Sequence, residues 1–102
     1  MRKIEGYWYS ENCPQYPMPI KDELTPRQAY DIYTLILVKQ SESKIVVYRG
    51  LSRSRITGQL LGGIEYEHPS GWVWPGDFAK HYVFDHGVKP TDEFLNFLNY
   101  TI

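Results

Sequence analysis

The sequence predicts an α+β domain with a small antiparallel sheet and about three helices, in a single domain over residues 1–102. Three observations carry this. A capped amphipathic helix occupies the first half of the chain, short β-rich runs separated by turn residues follow it, and two further helices close the sequence. At 102 residues with 42% hydrophobic content, the chain is long enough to bury one ordered core.

The elements follow in order. Residues 2–9, R-K-I-E-G-Y-W-Y, read as a short strand. Residues 11–20 contain three prolines, which remove backbone donors and fix φ, so this stretch is extended. Thr25 is then a natural N-cap, Pro26 suits the first helical position, and Gln28 completes a T-x-x-Q capping box. Ala29, Ile32, Tyr33, Ile36 and Leu37 repeat at helical spacing, which predicts a helix over 26–41. The rival is a strand over Asp31–Val38, whose Ile, Tyr, Thr and Val favour strands.

K-I-V-V-Y-R, 44–49, predicts a strand. Residues 59–67 predict another, with a glycine break at 62 and 63, and H-P-S-G at 68–71 turns it into a return strand ending near Trp74. Pro75 opens a helix to about His86, stopped by Gly87 as a left-handed C-cap. Pro90 and Thr91 begin the last helix, with Asp92 and Glu93 in its first turn and Phe94, Phe97 and Leu98 as its buried stripe.

Composition narrows the function classes. The net charge of −1 lacks the basic excess of a general nucleic-acid binder, although Lys44, Arg49, Arg53 and Arg55 fall within twelve positions. One cysteine, Cys13, excludes an internal disulfide and suits a reducing cytoplasm. No apolar region follows the basic start, so no secretory signal is expected. The longest apolar run, Ile32–Val38, is too short to cross a bilayer. Aromatic content of 16% points to a core built on rings, with Tyr66, Trp72, Trp74, Phe78 and Tyr82 as one cluster. Trp72 and Trp74 project on the same side of a strand, either covering the core or presenting a partner surface.

Residues 54–58, S-R-I-T-G, have the spacing of a C-x-x-C-G zinc knuckle without its sulfurs. H-Y-V-F-D-H, 81–86, has the H-x4-H spacing of a helical histidine pair. In this respect the segment 48–98 resembles a treble-clef zinc finger: knuckle, hairpin, then a ligand-bearing helix. It also resembles a group of small uncharacterised bacterial proteins with C-R-x-C-G here and a W-V-W-P-E-G-F-like segment before the helix. The resemblance implies a four-ligand site at Ser54, Thr57, His81 and His86, which is degenerate in this chain. Ser and Thr hydroxyls are poor zinc ligands, so no bound metal is the favoured expectation and zinc the lesser one. Five positions on an α-helix turn through about 140°, so His81 and His86 share a site only if the helix opens. His81 and Asp85 are the pair that would face together.

Two readings of function follow. The first is a small cytosolic, non-catalytic binding or interaction module on a metal-free zinc-finger-like scaffold. It would contact an acidic or protein partner through Arg49, Arg53, Arg55, Trp72 and Trp74, with nucleic acid less favoured and no membrane. The alternative is a metal-dependent nuclease or other hydrolase of the His-Asn-His type, using His68, His81 and His86, although positions 69–80 hold no Asn. Cys13 lies in the proline-rich segment without a sequence-local His to lower its pKa, which argues against a nucleophile there.

Overall fold

The computed structural model describes residues 2–47 and 51–102. The helix α1, Pro26–Ser41, has the bounds expected from its pattern. The Thr25 hydroxyl accepts the Gln28 amide, and the Gln28 side chain accepts the Thr25 amide at 3.0 Å. Ala29, Ile32 and Ile36 form its buried stripe, so the strand reading of 31–38 does not hold. The cap and the 3.6-residue period outweigh the β-preference of the individual side chains.

One four-stranded sheet has the order β1 (Lys3–Ile4), β6 (Trp72–Pro75), β5 (Ile64–Glu67), β2 (Lys44–Val47). Strand β2, Lys44–Val47, pairs antiparallel with β5, Ile64–Glu67, with Lys44 opposite Glu67. The turn at 68–71 leads from β5 into β6, Trp72–Pro75, antiparallel to β5. Strand β1 is only Lys3–Ile4, and it pairs with β6 in parallel. The sheet is therefore mixed, not antiparallel throughout. A parallel pair needs a long crossover, and residues 5–71 separate these two strands.

The expected strand over 59–67 is two strands in two sheets. Gly62 and Gly63 adopt φ of +109° and +110° and break it. Before them, β4 (Leu60–Leu61) pairs with β3 (Ser52–Arg53) in a two-stranded ribbon, while β5 joins the main sheet.

The helix expected from Pro75 begins three residues later. Pro75 closes β6, and Phe78–Asp85 is a π-helix, with hydrogen bonds spanning five residues instead of four. It stops where expected: Gly87 takes φ +64°, and its amide donates to the Val83 carbonyl at 3.0 Å. The helix α2, Asp92–Leu98, is capped by the Thr91 hydroxyl and ends at Asn99, with φ +59°. No helix among the described residues is long and apolar enough to cross a membrane.

The core lies between β6 and the three helices. Trp74, Phe78, Phe94, Ile32, Ile36, Val83 and Val88 are its fully buried members. The buried Glu5 carboxylate accepts the Thr91 amide at 2.7 Å and the Thr91 hydroxyl at 2.8 Å, tying the end of β1 to the start of α2. Next to it, Gly6 takes φ +79°, and a Cβ there would sit 2.7 Å from the Phe78 ring. The variant Gly6→Ala should lose about 2–4 kcal/mol, combining left-handed strain with overpacking. Urea denaturation measures this, and a loss under about 0.5 kcal/mol, the scale of ordinary surface substitutions, would contradict the packing described.

Candidate functional site

Residues 54–58, the candidate knuckle, close as a tight loop after β3. The Ser54 amide donates to the Gln59 carbonyl at 2.8 Å, and the Gly58 amide donates to the Ser54 carbonyl at 3.0 Å. Gly58 takes φ +77° with open space around it, so it is the backbone conformation that favours glycine there. The Ser54 Oγ accepts the amides of Ile56 and Thr57, both at 3.1 Å, and lies 2.7 Å from Nε2 of His81. Two amides occupy the oxygen's lone pairs, so the Ser54 hydroxyl donates to His81 Nε2. That leaves the neutral imidazole with its proton on Nδ1.

Both partners are buried, Ser54 at 4% exposure and His81 at 7%. Burial, and then the neighbouring His86, pushes the His81 pKa below its usual 6.5. Between that lower native value and 6.5, the unfolded chain holds the proton and the native chain does not. The His81 contribution to stability is therefore fully present above about 6.5 and is lost as the pH falls through this window. Burial raises the carboxyls of Glu5 and Asp77, whose contribution has the opposite sign as acid is added. Denaturation in pH steps should show the histidine component as the difference between the native chain and His81→Gln. A difference that does not vary with pH between 5 and 7 would contradict it.

The π-helix brings the second histidine in. Its wider turn sets residues five apart side by side, so the rings of His81 and His86 lie 4.7 Å apart. The His86 Nδ1–H donates to the His81 carbonyl at 2.8 Å. Asp85 accepts from Lys80, five residues away, at 2.6 Å, and its charge also acts on His81, opposing the effect of burial there.

The residues present do not fit zinc. The Ser54 hydroxyl is already engaged by two amides and the His81 ring, with Tyr82 beside it. Thr57 is exposed, and its Oγ1 accepts the Gln59 amide at 3.2 Å within its own loop. Among the described residues no group of three or more His, Cys, Asp or Glu could hold a metal ion. His68, which the nuclease reading sets beside His81 and His86, is bound instead to Glu42 and Ser70.

The expected contact residues divide. Arg49 lies outside the described residues. Arg53 is exposed and donates to the Gly58 carbonyl at 3.0 Å. Arg55 donates through Nε to the Tyr9 carbonyl at 2.6 Å, clamping the N-terminal segment onto the knuckle. Trp72 and Trp74 are corrected: at 6% and 0% exposure they are core residues and present no surface. Both pack on Phe94 and Phe97 of α2, and the Trp74 Nε1–H donates to Gln40 Oε1 at 3.2 Å.

Other rings take their place beside the arginines. A cavity of about 190 Å³ is lined by Trp8, Tyr16, Arg53, Arg55, Asp77 and Tyr82. Trp8 packs against Tyr82 with ring centroids 5.3 Å apart, and its buried Nε1 has no hydrogen-bond partner among the described residues. The Tyr82 hydroxyl accepts the Arg55 amide at 3.2 Å. The sequence signal for this cavity is the aromatic run Tyr7-Trp8-Tyr9 after Gly6, which reads locally as a strand. No family model, curated protein or solved structure matches the chain.

Proposed function

We propose that this chain is a small binding or interaction module, non-catalytic at its knuckle, on a zinc-finger-like scaffold in which hydrogen bonds stand where a metal would. The observation that carries this is the Ser54 hydroxyl, which joins two knuckle amides to the helix histidine in one closed network. A metal knuckle would hold loop and helix together through its ion; here the 2.7 Å bond from Ser54 to His81 makes that connection. Reactive chemistry at this oxygen is disfavoured by its burial and its saturated partners. The contact surface is the aromatic cavity edged by Arg53 and Arg55, and it suits an acidic protein partner. The lone Cys13 is in keeping with the reducing cytoplasm as its compartment.

Metal analysis of the purified protein, with thermal melts in the presence and absence of chelator, tests the scaffold. The expected result is no stoichiometric metal and superimposable melts. A structural zinc contributes about 10–16 kcal/mol of apparent binding energy, so a chelator that unfolds the chain would overturn the reading. The surface has its own test. Tryptophan fluorescence should respond to polyglutamate, with salt weakening the response and Arg53→Glu removing it, and equal responses to polylysine would sink it.

A further inference from the structure

A second constellation lies at the junction of α1 and the β5–β6 turn. Glu42 caps the C-terminus of α1, His68 follows β5, and Ser70 sits exposed in the turn. The turn is held by the His68 amide donating to the Trp72 carbonyl and the Gly71 amide donating to the His68 carbonyl, both at 2.9 Å. The imidazole stacks on Trp74 and meets the edge of Phe97, with centroids 6.4 and 5.0 Å away, which orients its plane.

The tautomer follows from the hydrogen bonds. The Ser70 amide donates to His68 Nδ1 at 3.1 Å, so Nδ1 is the unprotonated nitrogen. The proton is then on Nε2, which donates to Glu42 Oε1 at 2.8 Å. The Ser70 Oγ lies 2.7 Å from Nδ1, and its proton shares the single lone pair of that nitrogen with the longer Ser70 amide bond. Hydroxyl, imidazole and carboxylate therefore stand in the order that activates a serine, with the base oriented by its second nitrogen. The hydrogen bond from His68 holds the Glu42 carboxyl below its ordinary range, so it stays ionised.

We propose that Ser70 is an acyl-accepting nucleophile with His68 as its general base and Glu42 as the residue that positions the base, acting on small esters with good leaving groups. Ser70 is solvent-exposed, so a small ester reaches it directly. The restriction to activated esters follows from the turn itself. The Ser70 amide is spent on Nδ1 and the Gly71 amide on the His68 carbonyl, so these donors are not available to an oxyanion. An amide, with its poor leaving group, needs that stabilisation more than an aryl ester does. This inference goes beyond the knuckle reading, and its failure would leave that reading untouched.

The step balances without a further reagent. Ser70 Oγ bonds to the carbonyl carbon as its proton passes to His68 Nδ1. The tetrahedral adduct collapses, the bond to the leaving oxygen breaks, and that oxygen takes the proton from Nδ1. Water then attacks the acyl-serine, losing a proton to Nδ1. The acid departs, and the proton returns to Ser70 Oγ. The sum is ester and water giving acid and alcohol.

The test uses p-nitrophenyl acetate with the full chain, release of p-nitrophenol giving the rate and peptide mass mapping the acetyl group. The expected result is an acetyl on Ser70, absent in Ser70→Ala. His68→Ala should lower the acylation rate by about 100-fold or more, with partial recovery in added imidazole. Glu42→Ala should slow acylation and Glu42→Asp restore part of it, at melting temperatures that show both variants folded. Acetyl groups on lysines only, or His68→Ala acylating Ser70 at the native rate, would overturn the proposal. So would Glu42→Ala acylating at the native rate, for the assigned role of that residue, and its exposed position keeps this arm informative if His68→Ala fails to fold.

Discussion

The double substitution Ser54→Cys, Thr57→Cys should turn the knuckle into a metal site. The two positions have the C-x-x-C-G spacing, Gly58 already holds the left-handed φ of +77°, and the Ile56 and Thr57 amides already point at the position 54 side chain. His81 Nε2 lies 2.7 Å from the Ser54 oxygen, and the π-helix holds the His86 ring 4.7 Å from that of His81. Two thiolates and two imidazoles make a closed structural set, worth about 10–16 kcal/mol of apparent zinc affinity in small fingers. Cobalt should give the visible bands of a tetrahedral thiolate site, and zinc should displace it. Without metal the variant should be less stable than the native chain by about 1–3 kcal/mol, since the Ser54 network is lost. Featureless cobalt spectra would show that the loop and helix do not converge as a ligand site, and would remove the zinc-finger-like scaffold from the proposal.

Trp74→Ala should be the most damaging single core substitution. Trp74 is fully buried, packs on Tyr66, Phe94 and Phe97, and donates to Gln40. Removing such a ring typically costs about 3–5 kcal/mol, against a total stability of about 5–15 kcal/mol for a domain. The loss also leaves the Gln40 carbonyl without the indole that links α1 to β6. Denaturant titration should show a midpoint lowered by a loss of that size, and near-UV dichroism a chain partly unfolded at 25 °C if the native stability lies at the lower end of that range. A variant that keeps native stability would restore the view of Trp74 as a surface residue.

Much of the fold is legible in local chemistry. The capping box at Thr25 and Gln28, the apolar period of α1, the turn at 68–71 and the stop at Gly87 each depend on residues a few positions apart. The candidate site is legible in its spacing but not in its partners. Ser54 and His81 are visible as a pair of positions; that one hydroxyl joins two amides and an imidazole is visible only in three dimensions. Trp72 and Trp74 show the limit of composition, since large rings serve cores and interfaces alike, and only α2 packing over them settles which.

The sequence by itself determined the class, both ends of α1, the start of α2 and the stop at Gly87, because caps, periodicity and glycine conformations act within one or two turns of chain. The tertiary structure alone decided that β1 joins β6 in parallel, that Gly62 and Gly63 divide one apparent strand between two sheets, and that the histidine helix widens to a π-helix. It also decided which groups meet: Ser54 with His81, Arg55 with Tyr9, and Glu42 with His68 and Ser70. Most of these contacts join residues far apart in the chain. Their energies depend on the burial and the closed distances that folding creates, and those terms leave no local mark on the sequence.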